Sequence, residues 1–267
     1  MTMDKHPQPK TLEEHREYLH EIVKLQLWFL HHWLENHPHE RFRDVLRNRV
    51  DIYRKTAVNP GTINPDNLFW DDPRWQSMEM AAETVYHKNI HDREAFEAEA
   101  FPIFKDSLDE RCERDFIDRS ECLRYQCGCF RHNLTVSPDN NRLGFHIANF
   151  CRPYSFMDYP NYMKGCFEML LDRAEFIFHA DAISTGSWLN SMPRWLEWFP
   201  QEWLDHLQPP NKDVQWHYGF WGSFISARGT FNFKYGKILR ETGEMPFYPR
   251  YSYCSLQAMR DKLASMP

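Results

Sequence analysis

The apolar positions of the chain fall into two regimes. Leu12, Leu19, Ile22, Val23, Leu25, Phe29, Leu30, Trp33 and Leu34 recur at helical spacing as far as Pro38, behind Thr11-Leu-Glu-Glu14, which has the form of a capping box. Phe42, Val45, Leu46, Val50 and Tyr53 keep that spacing and predict a second helix from His39 or Glu40 to about Lys55. Asn59-Pro-Gly-Thr-Ile-Asn-Pro65 then breaks regular structure. Asp72-Pro73 joins an N-cap residue to a proline at the first helical position and opens a helix toward Asn89. Helical spacing resumes from Asp92 toward Leu123, with a kink expected at Pro102. The first 130 residues therefore read as a helical layer.

Beyond Phe130 the period changes. Leu143-Gly-Phe-His-Ile-Ala-Asn-Phe150 follows the turn-forming Ser137-Pro-Asp-Asn-Asn141 and reads as a largely buried strand. From Asn161 to Phe178 one helical stripe carries Met163, Phe167, Leu170, Leu171, Ala174 and Phe178. Ala182 to Asn190 is extended again, and Met192-Pro193 starts a helix rich in aromatics, with Trp195, Trp198 and Phe199. Strand, helix, strand, helix in this order predicts two parallel strands, with ligands favoured beyond their carboxyl ends. Val214 to Ser226 reads as a strand bulged at Gly219 and Gly222, turning at Ala227-Arg-Gly229 into a return strand from Thr230 to Phe233. A short helix from Tyr235 stops at Gly243, and a final helix runs from Ser255 to Ala264. The expected class is α+β, with a helical region over residues 1–130 and an α/β region over 131–267.

Composition narrows the function classes. The formal charge of −6, without a basic stripe, argues against nucleic acid as a partner. Met1 to Lys10 is polar and holds no apolar core, so neither a signal peptide nor a membrane span is expected there, and a cytoplasmic protein is. Seven cysteines at irregular spacing fit reduced thiols better than a disulfide framework. Aromatics make up 16% of the chain, including ten Trp, which fits either an aromatic-lined small-molecule pocket or a thick aromatic core.

The topology selects the candidate chemistry. Asn149, Ser155, Ser187 and Asn190 are polar residues expected near the carboxyl ends of the parallel strands, and Ser187 and Asn190 also suit a structural role, satisfying backbone groups at the strand end and capping the next helix. His146 lies on the apolar strand as a candidate base or a satisfied core histidine. Cys254 precedes the final helix, where backbone donors favour a thiolate; paired with His146 or His217 it would be a nucleophile, and alone it is a buried structural cysteine. Trp188 and Trp221 are candidate pocket walls, and Arg228 a candidate anion contact or a solvated hairpin charge. Fourteen His are present, yet no HExxH or paired CxxC occurs. Cys122, Cys127, Cys129 and His132 are the densest thiol group, and no metal site is expected from them.

Leu143-Gly-Phe-His-Ile-Ala, Phe167-Glu-Met-Leu-Leu-Asp-Arg-Ala and Ser184-Thr-Gly-Ser-Trp-Leu-Asn-Ser together resemble the carboxyl-terminal part of GNAT-like acyltransferases. The resemblance covers about residues 140–200 and, loosely, the chain to Phe233. It implies a mixed sheet flanked by helices on both faces and transfer of an acyl group from acyl-CoA to the amine of a small molecule. His146 would be the base, Ser187 and Asn190 would hold the acyl carbonyl, and Trp188 and Trp221 would wall the pocket. That family cradles pyrophosphate with a glycine-rich turn at a helix start. Here the corresponding loop is Phe150-Cys-Arg-Pro-Tyr-Ser-Phe156, without glycine and with Arg152 as its cation. A cysteine/histidine hydrolase and a non-catalytic small-molecule-binding module are the alternative readings.

Overall fold

Thr11 starts the first helix as its sequence dictates: Thr11 Oγ1 accepts from Glu14 N at 3.1 Å, while Glu14 Oε2 accepts from Thr11 N at 2.9 Å. In the computed structural model, which describes residues 11–60, 68–117 and 126–266, this helix is α1, Leu12–Asn36. It packs along α5, Arg93–Ile117, which runs through Pro102 as one helix. α4, Pro73–Lys88, packs on α5 and is capped by Asp72 Oδ1 accepting from Arg74 N at 2.8 Å. The break expected over Asn59–Pro65 and the helix end expected near Leu123 fall largely outside the described residues.

The helix expected from His39 to Lys55 is instead two short ones, α2 (Phe42–Asn48) and α3 (Ile52–Lys55). The cause is competition for carbonyls. Asn48 O accepts from Trp216 N, and Arg49 O accepts from Trp221 Nε1, both at 3.0 Å. These bonds come from a distant segment and satisfy the carbonyls where a continuous helix would otherwise use them. Arg47 meanwhile ties α2 to α4 by two bonds to buried Glu79, at 2.7 and 2.6 Å.

Four strands form one mixed sheet in the order β1 (Phe130–His132), β2 (Arg142–Ile147), β3 (Ala182–Ser187), β4 (Arg250–Ser255). β2 and β3 are parallel, as the strand-helix-strand order predicts, and both outer pairs are antiparallel. The crossover helix α6, Pro160–Phe176, lays Met163, Phe167, Leu170, Leu171 and Ala174 on the sheet. Phe167 meets Phe130, Trp195, Trp198 and Phe199 with ring centroids 4.7–6.1 Å apart. That same face also receives α7 (Pro193–Leu196), α8 (Gln201–Asp205) and α11 (Leu256–Ser265). Leu143, Phe145, Ile183 and Cys254 supply the sheet side of this core. The opposite face bears Arg142, Gly144, His146, Ser184, Gly186 and Tyr251, and there the sheet opens to a cleft rather than to the second helical layer implied by the resemblance.

Residues 214–226 do not form the expected strand. Tyr218–Trp221 is a helical turn, α9, continued by a tighter turn over Gly222–Phe224. Phe220, Trp221 and Phe224 are buried at helical spacing, with Trp221 edge-on to Phe29 of α1 at 5.3 Å. Packing against α1 overrides the strand propensity of this aromatic run. The turn at Ala227-Arg-Gly229 is present, with Gly229 at φ +90° and its N donating to Ser226 O at 2.9 Å, and the return strand shrinks to one bridge, Ile225 to Phe231. α10, Phe233–Thr242, ends at Gly243 with φ +72°. The sequence boundary near Phe130 separates element types. The apolar clusters divide the chain differently, because Val214, Phe220, Trp221, Phe224, Phe231, Leu239 and Met245 complete the core of α1–α5.

Phe167→Ala should destabilise the protein by about 3–5 kcal/mol through the cavity left beneath the sheet. Urea unfolding followed by Trp fluorescence measures this; a loss below about 1 kcal/mol would show that the aromatic cluster does not hold the sheet.

Candidate functional site

β2 and β3 pair through only three residues each, Arg142–Gly144 with Ala182–Ser184, although both strands continue three residues further. Beyond Gly144 and Ser184 they are no longer in register contact, and the gap opens into a cleft of about 480 Å³. Gly144, Phe145 and His146 line one side, Ser184, Thr185 and Gly186 the other, and Arg142 and Tyr251 flank them. Among the described lining residues there is no carboxylate.

The loop after β1 roofs the cleft. Asn133 N donates to Gly144 O at 2.8 Å, which lays Asn133 over Gly144; a Cβ on Gly144 would stand 2.4 Å from Asn133 Nδ2. Any larger residue here would displace the Asn133 side chain from its place over the strand. From there Asn133 Oδ1 meets His146 Nε2 at 3.0 Å. With Nε2–H as the donor in this bond, Nδ1 is the acceptor nitrogen of the neutral ring. His146 is exposed along its outer edge, yet crowding by the cleft walls, then the Arg131 cation, push its pKa below the ordinary histidine value. Arg142 is fixed differently: its guanidinium lies 3.2 Å over the Tyr253 ring, whose stacking partner is His206 at 3.9 Å. The cleft thus combines a neutral nitrogen base, a held cation and the hydroxyls of Ser184 and Tyr251.

Of the residues singled out in the sequence, His146 alone lines this cleft. Ser187 is buried and caps the turn over Trp188–Ser191, accepting from Leu189 N at 3.2 Å. Asn190 is fully buried with its amide spent on structure: Nδ2 donates to Thr185 O at 3.0 Å and Arg250 O at 2.8 Å, and Oδ1 accepts from Trp195 Nε1 at 2.9 Å. Ser187 caps as its alternative reading expects, Asn190 satisfies backbone groups at the strand end, and neither lines the cleft. Asn149 clips its own loop to the next, donating to Tyr154 O and Ala227 O, each at 2.8 Å. Ser155 caps the turn over Phe156–Asp158. Trp188 packs on Phe247, Trp221 is buried against α1, and Arg228 pairs with Glu14 at 2.7 Å, so none of the three walls the cleft.

Cys254 is fully buried on the core face of β4, and burial, then Glu202, raise its thiol pKa far above the ordinary value. It stands in the strand rather than at the helix start, so the donors expected to make a thiolate do not reach it and the cysteine-nucleophile reading loses its basis. Cys127 and Cys129 are buried as well, Cys122 lies outside the described residues, and no group of metal-ligating side chains occurs among the described ones. Asn133, Arg142, Ser184 and Tyr251 were not legible as site residues. Period-two alternation from His146 reaches Arg142; Ser184 and Tyr251 depend on register, which no local pattern announces.

Comparison with protein-family models, with curated proteins and with solved structures finds no match to this chain. Among the described residues no helix is long and apolar enough to cross a membrane.

Two measurements check this geometry. Asn190→Ala strands two carbonyls and an indole N–H, and should cost about 1–3 kcal/mol in chemical unfolding. In proton NMR the His146 ring should titrate below the ordinary histidine value of 6.5, leaving it neutral at pH 7 and protonated only in more acidic solution. A midpoint at or above 6.5 would remove the neutral-base assignment.

Proposed function

We propose that the chain is an acyltransferase-like enzyme acting on a small molecule, with the splayed gap between β2 and β3 receiving the acyl-bearing arm of its donor. The observation that supports this reading is the loss of strand pairing after Gly144 and Ser184, which opens an extended slot beside backbone polar groups. An extended amide-containing arm fits such a slot by adding hydrogen bonds along a strand edge. The GNAT-like resemblance of β2, α6 and β3 points the same way.

In this reading the amine attacks the thioester carbonyl, His146 Nδ1 takes its proton and returns it to the pantetheine thiolate that leaves as the C–S bond breaks, and Asn133 holds the ring's tautomer. The roles first given to Ser187 and Asn190 pass to Ser184 and Arg142, whose donors stabilise negative charge developing on the acyl oxygen. The nucleotide end of acyl-CoA is the less favoured part. The loop before α6 has no glycine, and Asp158 stands there, bonded to Ser155 N at 3.3 Å and to Arg194. A carboxylate at that place repels a pyrophosphate. The reading therefore commits to an acyl-pantetheine arm.

Thermal unfolding with acetyl-CoA, free CoA and acetyl-pantetheine tests it, because a ligand of the native state raises the transition by mass action. A dose-dependent rise with the acetylated ligands is expected. Gly186→Leu should abolish that rise with little change in the ligand-free transition, since a side chain on Gly186 meets only Tyr251, at 3.8 Å, and projects into the cleft. His146→Ala should keep binding and lower amine acylation by about 10²–10⁴-fold; binding without any turnover in the parent protein would favour the non-catalytic binding module. No rise with any of the three ligands at millimolar concentration would overturn the proposal.

A further inference from the structure

Beside the Gly186 end of β3, α3 and the residue before it, Asp51, carry three charges inward. Asp51 is 5% and Lys55 6% exposed, and the Arg54 side chain is 12% exposed. Lys55 pairs with Asp51 and reaches the Tyr218 ring at 5.5 Å, while Arg54 stacks on Trp216 at 3.3 Å. Tyr18 of α1, itself 5% exposed, meets Tyr218 and lies in the field of both Asp51 and Arg152. His217 lies in the fields of Asp51 and Arg54, and its Nδ1 accepts from Gly219 N at 3.1 Å, so the neutral ring carries its proton on Nε2. Gly219 in turn sits against the end of β3, 3.9 Å separating Gly186 O from the position of a Cβ on Gly219. Arg152 arrives on the loop after β2, beside Gly229. The group therefore assembles beyond the carboxyl ends of the two parallel strands, where open sheets favour ligands.

Its charges do not balance. Among the described residues one carboxylate, Asp51, pairs with Arg54 and Lys55, and a third cation, Arg152, acts with Asp51 on Tyr18. Four polar atoms are buried without a hydrogen bond: Asp51 Oδ1, Arg54 Nε and Nη1, and Arg152 Nε. Arg54 Nη1 and Asp51 Oδ1 are 3.7 Å apart, beyond hydrogen-bonding distance. The Asp51 ion pair and the Trp216 ring offset part of Arg54's charge, but buried guanidinium donors left without hydrogen bonds remain costly. Water can satisfy the donors but leaves the surplus charge in place; an anion does both.

We propose that Arg54, Lys55, Arg152, Tyr18 and His217 form a binding site for a small molecule carrying an oxyanion, a carboxylate or a phosphate, beside the Gly186 end of the β2–β3 cleft. The planar guanidinium groups supply paired donors suited to such a group, and Lys55 a point charge. The site stands on its own geometry whether or not the cleft takes an acyl arm.

Thermal unfolding of the full chain with inorganic phosphate and with succinate, against chloride at matched ionic strength, tests it. A saturable rise with one of them is expected, and which anion gives it assigns the class. Arg152→Gln should weaken that binding about tenfold or more. Arg228→Gln, an exposed partner of Glu14, should leave it unchanged. If Arg152→Gln does not fold, the wild-type His217 ring resonance gives the same answer, moving with anion until saturation. A rise no larger than that with chloride, an unmoved His217 resonance, or unchanged affinity in Arg152→Gln would overturn the proposal. Gly186→Leu reads the cleft and Arg152→Gln reads this cluster, so the two proposals fail separately.

Discussion

Two backbone carbonyls govern how this molecule is put together. Asn48 O and Arg49 O are not used by a continuing helix, and their partners are Trp216 N and Trp221 Nε1. That choice ends α2 early and makes α3 a separate turn, so Asp51, Arg54 and Lys55 point into the interior rather than along a longer helix. It also fixes residues 214–224 against α1, where Phe220, Trp221 and Phe224 close the helical core and Gly219 meets the end of β3. One small set of bonds thus determines both the helical packing and the place where the helical layer touches the sheet.

Local signals carried through to the structure where their cause is local. The Thr11 capping box, Asp72 before Pro73, and Gly243 in a left-handed conformation each act within a few residues and stand as expected. The parallel pair also stands, because a helix between two strands leaves little other choice. β4 hid itself by inversion: its inward residues are Ser252 and Cys254, and its outward ones the exposed Tyr251 and half-buried Tyr253, so small buried groups alternate with aromatic outward ones. Residues 214–226 misled because Trp, Tyr, Phe and Ile favour strands in isolation, while here a distant helix decides their conformation. Of the candidate site, His146 was visible as a polar residue on an apolar strand, and its partners were set by register and by the loop lying over Gly144.

The cleft and the buried charged group show one fold meeting opposite demands. A sheet is most stable with its ladder complete, and β2 and β3 give up half of theirs to keep a gap. A helical core is most stable without charge, and α3 brings three charged residues into it. Around both places the structure is tightly fastened: Asn190 joins β3, β4 and Trp195 in one node, and Asn149 ties the loop after β2 to the turn at Ala227. Such fastening holds open features in place that would otherwise collapse.

The closure of the helical core by residues 214–245 carries a consequence for the newborn chain. Phe29 and Trp221, which meet edge-on in the finished protein, are 192 residues apart (221 − 29). At about 5–20 residues per second of synthesis, α1 waits about 10–40 seconds for its aromatic lid. Within that interval α5 can already cover most of α1, but the part around Phe29 lacks the partner it has in the finished protein. The molecule is thus built so that its beginning is fully covered only when its end arrives, and the burden of keeping the early helices from sticking to one another falls on whatever shelters a growing chain.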